Sequence, residues 1–420
     1  MNRDNLYFLL LNFGHFLDHL FTLIFATVAA LALHREWGLS YAELLVYATP
    51  GFFAFGVFAL PAGWLADKWS RDGMMVVFFV GIGLASLATS LVRTPLELGI
   101  GLFVIGMFAA IYHPVGLAIV TLKWRNTGIR LAANGVWGNL GVASAALITG
   151  FLIDHSGWRM AFVIPGLFSI CVGIVYGLLR RETLLTEDRE LKQLKQGANS
   201  ASSTASNRNL LIRVSAIVFL TTAVSSIIFQ STTFALPKIF DERLQGLAEQ
   251  LSFLFQNNDT SQKELVASMI GGLAFIVFAV ASTAQLVVGS LLDKFGPRRI
   301  FMTMAAIQLC FFSLMPTQTD GLALAVALGF MIGAFGQIPI NDFMISKMAS
   351  GPARARIYGI RYVVSFTVLA VTLPLIAFVY DNWGFDTLFY ILAATAFVIL
   401  AAVYALPRTL PTQQMQTQNA

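Results

Sequence analysis

Apolar residues come in twelve long runs, near 6–33, 43–66, 74–92, 96–122, 131–153 and 160–179, then 210–237, 266–292, 300–316, 321–346, 357–380 and 386–406. An α-helix needs about 20 mostly apolar residues to cross a bilayer, so the pattern predicts twelve spanning helices and an all-α membrane protein. The first run is too long for a signal peptide and holds His15, Asp18 and His19.

Composition agrees. Hydrophobic residues make up 57% of the 420 and charged residues only 12%, against roughly 25% charged in soluble domains. So few charges cannot cover a soluble fold of this size, which excludes a soluble enzyme, a nucleic-acid binder and a disordered chain. Cys171 and Cys310 lie inside apolar runs, with no disulfide framework and no metal spacing.

The net charge of +5 matters through its distribution. With the N-terminus in the cytoplasm, the inside segments hold 20 of the 27 Lys and Arg and the outside segments six. By the positive-inside rule both termini are expected in the cytoplasm. The polar stretch from Arg181 to Asn209 contains a flexible run of small residues, 197–207. It divides the chain into a six-span half (1–180), a linker (181–209), a second six-span half (210–407) and a tail (408–420). Each half repeats the other. Gly63-Trp-Leu-Ala-Asp67-Lys68 matches Gly289-Ser-Leu-Leu-Asp293-Lys294, Asp154-His-Ser-Gly157 matches Asp381-Asn-Trp-Gly384, and Pro114 matches Pro339, at offsets of 225 to 227. The halves are parallel repeats.

These motifs, with Gly296-Pro-Arg298-Arg299 and Gly157-Trp-Arg159-Met-Ala-Phe162, resemble the major facilitator superfamily over essentially the whole chain. The resemblance implies two six-helix bundles around a central cavity, lined by spans 1, 4, 7 and 10, and alternating access by rocking. The first loop copy departs from the family pattern, with Ser70 for the usual Gly and Asp72 where a basic residue is usual. A narrower resemblance, to the fosmidomycin-resistance type of drug exporter, is carried by Gly14-His15-Phe-Leu-Asp18, Gly38-Leu-Ser-Tyr-Ala42, Tyr112-His113-Pro114 and Gly138-Asn139-Leu-Gly141. Val115 replaces that group's usual acidic residue, and Leu102 stands where drug exporters carry Arg.

The resemblance gives the loop copies a gate role. Gly63 and Gly289 would let helices approach at the cytoplasmic end. Asp67 would pair with its basic neighbours Lys68 and Arg71, and Asp293 with Lys294, Arg298 and Arg299, when that side is shut, each biasing the equilibrium by ~1–3 kcal/mol. A second reading keeps them as ordinary loops that fix topology.

Asp18 is the first candidate for mechanism. It lies twelve residues into the first span, about 18 Å along a helix, where a charge is costly and marks a pathway or relay. Asn12, His15, His19 and Thr22 recur at three- and four-residue spacing as a polar stripe beside it. Desolvation disfavours the ionised carboxyl and a protonated histidine favours it, a balance suited to titration. A purely structural polar knot is the alternative. His15-Phe-Leu-Asp18-His19 is also spaced like H-x-x-E-H metal sites, but the shorter Asp and the twelve-span frame argue against a metal, and none is expected.

Pro114 frees a backbone carbonyl in the fourth span; His113 either joins Asp18 or caps that carbonyl. Gln337, Asn341 and Asp342 cluster in the tenth span, and Asp342 can pair with Arg361 as gate or structural tie. Ser225, Ser226 and Gln230 offer neutral polar groups in the seventh. The expected substrate lining is Asn12, Tyr112, Ser225, Gln230, Gln337 and Asn341. The stripe Asn134, Gly138, Gly141 and Ala145 reads as a helix-packing seam. Between Asp241 and Glu264, Leu244, Leu247, Leu251, Leu254 and Phe255 predict a short amphipathic helix on the outer surface.

No nucleotide-binding motif occurs, so the expected energy source is a proton gradient, with no cofactor. The expectation is a monomer of the bacterial inner membrane that expels a small organic compound in exchange for protons. A proton-linked importer shares all these features; a non-transporting sensor or assembly factor is the alternative of another class.

Overall fold

The computed structural model describes residues 2–124, 127–182, 208–255, 265–348 and 351–406; the side chains of 127–128, 208–214, 255, 293, 342, 345–348, 351–363 and 366 lie outside that description. All regular structure in it is helical. The first span, Arg3–Val28, runs on through a π-helical turn, Ala29–Leu33, and a short helix, His34–Trp37. The others of the first half are Tyr41–Lys68, Arg71–Thr89, Pro95–Ala109 with Tyr112–Lys123, Thr127–Ser156 and Met160–Leu179. The second half follows with Arg208–Arg243, the short helix Gln245–Phe255, Val266–Phe295, Pro297–Leu314, Asp320–Met348 and Gly351–Tyr404.

Ten helices among the described residues are long and apolar enough to cross a membrane, against twelve expected segments. The ninth, Pro297–Leu314, has Arg298 and Arg299 in its first turn and no window apolar enough to qualify. The last two are one helical run broken at Gly384, whose φ of 74° is left-handed. Gly157, the matching landmark in the first half, has φ 85°. Glycine alone adopts that conformation readily, so the same turn recurs between the last two spans of each half. The departure at Ser70 has a local cause: Gly296 sits at φ 78°, whereas Ser70 is extended at φ −158° and caps the third span by accepting from Gly73 N at 3.0 Å.

By packing, the chain divides into unit 1 (Met1–Lys195, Phe234–Ala279, Leu373–Phe378) and unit 2 (Gln196–Thr233, Val280–Thr372, Val379–Ala420). The end of the seventh span and the start of the eighth therefore pack with the N-terminal six. In unit 1 the Asp154 carboxylate accepts from Ser268 N at 2.6 Å, at the start of the eighth span, and Asp241 lies 2.8 Å from Lys238 and 3.6 Å from Arg35. The predicted helix after Asp241 exists, with a different face: Leu244, Ala248 and Ser252 are buried, while Phe253 and Leu254 are exposed. The small residues turn inward because Ser252 Oγ accepts from Leu265 N, drawing the helix close to the start of the eighth span. Phe255's side chain lies outside the described residues.

Backbones approach closely where small residues face each other. A Cβ on Gly106 would lie 1.9 Å from the Gly51 carbonyl, and one on Gly141 would lie 2.2 Å from that of Phe16. These contacts lock the second span to the fourth and the first to the fifth. Gly106→Val is expected to destabilise unit 1 by about 1–3 kcal/mol through overpacking, read as a lower melting temperature in detergent; an unchanged melting temperature would show that the second and fourth spans can separate freely.

Candidate functional site

The buried polar centre of unit 1 is built by the first, fourth and fifth spans. Pro114 has no N–H to offer Ala110, and the fourth span breaks there, its inner part restarting at Tyr112. The break places Tyr112 and His113 beside the first span. His113 Nε2 lies 3.3 Å from Asp18 Oδ2; Asp18 is 0% exposed and the His113 side chain 15%. That separation is an ion-pair distance without an aligned hydrogen bond. Among the described residues the other carboxylate oxygen, Oδ1, has no partner.

His15 and His19 complete the cluster. Their Nε2 atoms are 3.2 Å apart, and the ring centroids of His15, His19 and His113 lie 4.9 to 5.5 Å from one another. His15 Nδ1 is 2.8 Å from the Asn134 carbonyl. A carbonyl only accepts, so Nδ1 carries the hydrogen and Nε2 faces His19. Thr22, the last of the predicted stripe, donates to the His19 carbonyl at 2.9 Å instead of to the cluster.

Asn134, expected only as part of a packing seam, holds this centre together. Its Nδ2 donates to Asn12 Oδ1 and to the Tyr112 hydroxyl, both at 2.9 Å, and Tyr112 donates on to the Leu11 carbonyl at 2.9 Å. Tyr112 also stacks on His15, with centroids 5.0 Å apart. Asn12 and Tyr112, expected in the substrate lining, are thus both bonded to Asn134 and buried. Gly138 makes room for the His15 ring, since a Cβ there would lie 2.6 Å from Nε2. An amide on a stripe of glycines was the signal that could have marked Asn134.

Unit 2 carries neutral polar groups. Gln337 Nε2 donates to Gln308 Oε1 at 2.7 Å, a tie between the tenth and ninth spans that sequence reasoning missed. Ser225 and Asn341 are buried, and among the described residues their side-chain oxygens have no partner. Gln230 is half-buried.

At the loop copies, Arg71 is buried and donates to Asp67 one turn before it. Gly63 approaches the Pro114 ring, with 3.3 Å from a built Cβ to the ring's own. At Gly289 nothing among the described residues lies within 4 Å of its Cβ position. Arg298 donates to the Tyr404 carbonyl at 2.7 Å. The side chains of Asp293, Asp342 and Arg361 lie outside the described residues. Asp72, noted only as a departure, is the most fully bonded carboxylate at that end. It accepts from Tyr7 at 2.8 Å, Tyr176 at 2.7 Å and Arg180 at 2.9 and 3.0 Å. Burial works against the Arg180 charge, but the Asp72 carboxylate together with the nearby Tyr7 and Tyr176 holds the guanidinium pKa above its usual value. At the opposite end, Trp158 and Arg159 of the Gly157-Trp-Arg motif bind Glu36 at 2.7 and 3.2 Å.

An all-helical chain of two repeated halves, with a carboxylate buried at the centre of one, has the architecture expected of a secondary transporter. It belongs to the Major Facilitator Superfamily, whose family description matches residues 11–257 and 247–419. It is similar to a multidrug resistance protein MdtG of Rahnella sp., at 24% identity over 83% of this chain and 79% of that one. It is also similar to a gallate transporter of Pseudomonas putida, at 27% identity over 34% of this chain; the chain spans only about a third, 32%, of that relative. Among solved structures, a D-xylose-proton symporter shares the fold with a TM-score of 0.70 at 15% identity, over 97% of this chain and 99% of that one.

Proposed function

We propose that this transporter expels a small organic compound from a bacterial cell in exchange for protons, by alternating access. It would work as a monomer in the inner membrane with both termini in the cytoplasm. The observation that carries the coupling is the Asp18–His113 pair: a fully buried carboxylate oxygen 3.3 Å from an imidazole nitrogen. Asp18 and His113 would carry the proton, and His15 and His19 would relay it. Ser225, Gln230, Gln337 and Asn341 would offer neutral hydrogen bonds to the substrate. Asp67 with Arg71 and Asp293 with Arg298 would act at the cytoplasmic gate, together with Asp342 and Arg361.

One proton moving down ~150 mV releases about 3.5 kcal/mol, enough for a gradient of roughly a few hundredfold. Export is favoured by the short motifs resembling the fosmidomycin-resistance type of exporter and by the likeness to a multidrug resistance protein. Import is the second reading, favoured by the fold shared with a proton symporter. Membrane vesicles of the two orientations separate them. Proton-driven accumulation of a screened compound is expected in everted vesicles, and accumulation confined to right-side-out vesicles would overturn export.

A further inference from the structure

We infer that His15, His19 and His113 form a binding site for a divalent late-transition ion of the zinc, cobalt and nickel class. The proposal rests on the position of three imidazoles. One ligand nitrogen from each lies within 4.8 Å of the other two. Tetrahedral zinc with Zn–N bonds of about 2.0–2.1 Å holds its ligand nitrogens about 3.3 Å apart. His15 and His19 already stand 3.2 Å apart on successive turns of one helix, the i, i+4 arrangement in which two histidines share an ion. His113 comes from the fourth span and has only to swing inward by an ångström or two.

Two further features point to a ligand. His15 Nδ1 donates to the Asn134 carbonyl, the outer hydrogen bond that orients a metal-binding imidazole and leaves Nε2 as the donor atom. Two imidazole Nε2 atoms face each other across 3.2 Å, and two lone pairs would repel there, so in the metal-free protein one hydrogen must sit between them. A metal ion takes the place of that hydrogen. The second feature is Asp18, fully buried beside His113 with an oxygen that has no partner among the described residues. Its charge offsets part of the ion's, which an apolar interior would otherwise oppose. Neutral imidazoles favour zinc, cobalt, nickel and copper over magnesium and calcium, which prefer all-oxygen sites. The spacing in the first span alone did not suffice; the third nitrogen arrives only because the Pro114 break turns His113 toward it.

The test uses the full-length, untagged protein in detergent. Titration with Co²⁺ is expected to give visible d–d bands of a low-coordinate site, saturating at one ion per chain and displaced by Zn²⁺, with no response to Mg²⁺. His19→Ala and His113→Ala are expected to lose the bands while keeping the wild-type helical circular dichroism. If either variant misfolds, His19→Gln and His113→Gln replace it. Absence of saturable binding in the wild type overturns the proposal, and so does equal binding by the folded variants. The site stands apart from the coupling reading: metal binding with wild-type transport in Asp18→Asn keeps the site and removes the coupling, and the converse keeps the coupling alone.

Discussion

Asp18→Asn is expected to abolish proton-coupled transport while leaving the protein folded and at least as stable. Asparagine keeps the shape of the side chain but carries no proton at any working pH, so the substitution removes the titratable carboxyl and little else. The carboxylate is 0% exposed, and one of its oxygens has no partner among the described residues. Replacing such a group with a neutral one relieves a desolvation cost, so the melting temperature is expected to hold or rise. Function moves the other way. Without coupling, the about 3.5 kcal/mol per proton available at ~150 mV no longer drives the cargo, and accumulation falls to equilibration. Reconstituted vesicles with an imposed proton gradient measure this, with substrate counterflow as the control for a working pathway. Counterflow is expected to survive. Wild-type accumulation in Asp18→Asn would remove this carboxyl from the mechanism.

The fold was legible to the extent that hydropathy and glycine punctuation define it. Long apolar runs mark the spans, and Gly157 and Gly384 show the same left-handed turn the repeat implied. The ninth span is the weak case, because basic residues occupy its first turn. At the centre of unit 1, Asp18 and His15 stand out as polar residues in an apolar run, and helical spacing puts His19 with them. Two things were hidden. Asn134 lies 122 residues from Asn12 and 119 from His15, and no local pattern reports which face of the fifth span meets the first. The helix Gln245–Phe255 was legible by period and in part by face: Leu244 is buried as its stripe suggested, but Ala248 and Ser252 turn inward with it while Leu254 is exposed.

Asp72 gives the sharpest contrast with Asp18. Where the family pattern has a basic residue, this chain has a carboxylate that accepts four hydrogen bonds from Tyr7, Tyr176 and both an Nε and a terminal nitrogen of Arg180. Those groups come from the first and sixth spans, while Asp72 opens the third, where the helix dipole adds a further favourable term. Each oxygen is satisfied, so Asp72 ties three helices together. Asp72→Ala leaves a part-buried guanidinium and two buried phenol hydroxyls without their acceptor, which is expected to cost about 3–5 kcal/mol. The measurement is thermal unfolding in detergent, together with the yield of folded protein. Asp72→Leu combined with Arg180→Met removes both charges, and it is expected to recover part of that loss, since an apolar pair of similar volume replaces a buried ion pair at little cost. An Asp72→Ala protein that melts with the wild type would show that the tie contributes nothing. A double variant no better than the single would place the energy in the tyrosine bonds instead of the ion pair. Of these two buried carboxylates, Asp18, with an oxygen unpartnered among the described residues, is the proposed coupling group, and Asp72, with every oxygen bonded, is the structural tie.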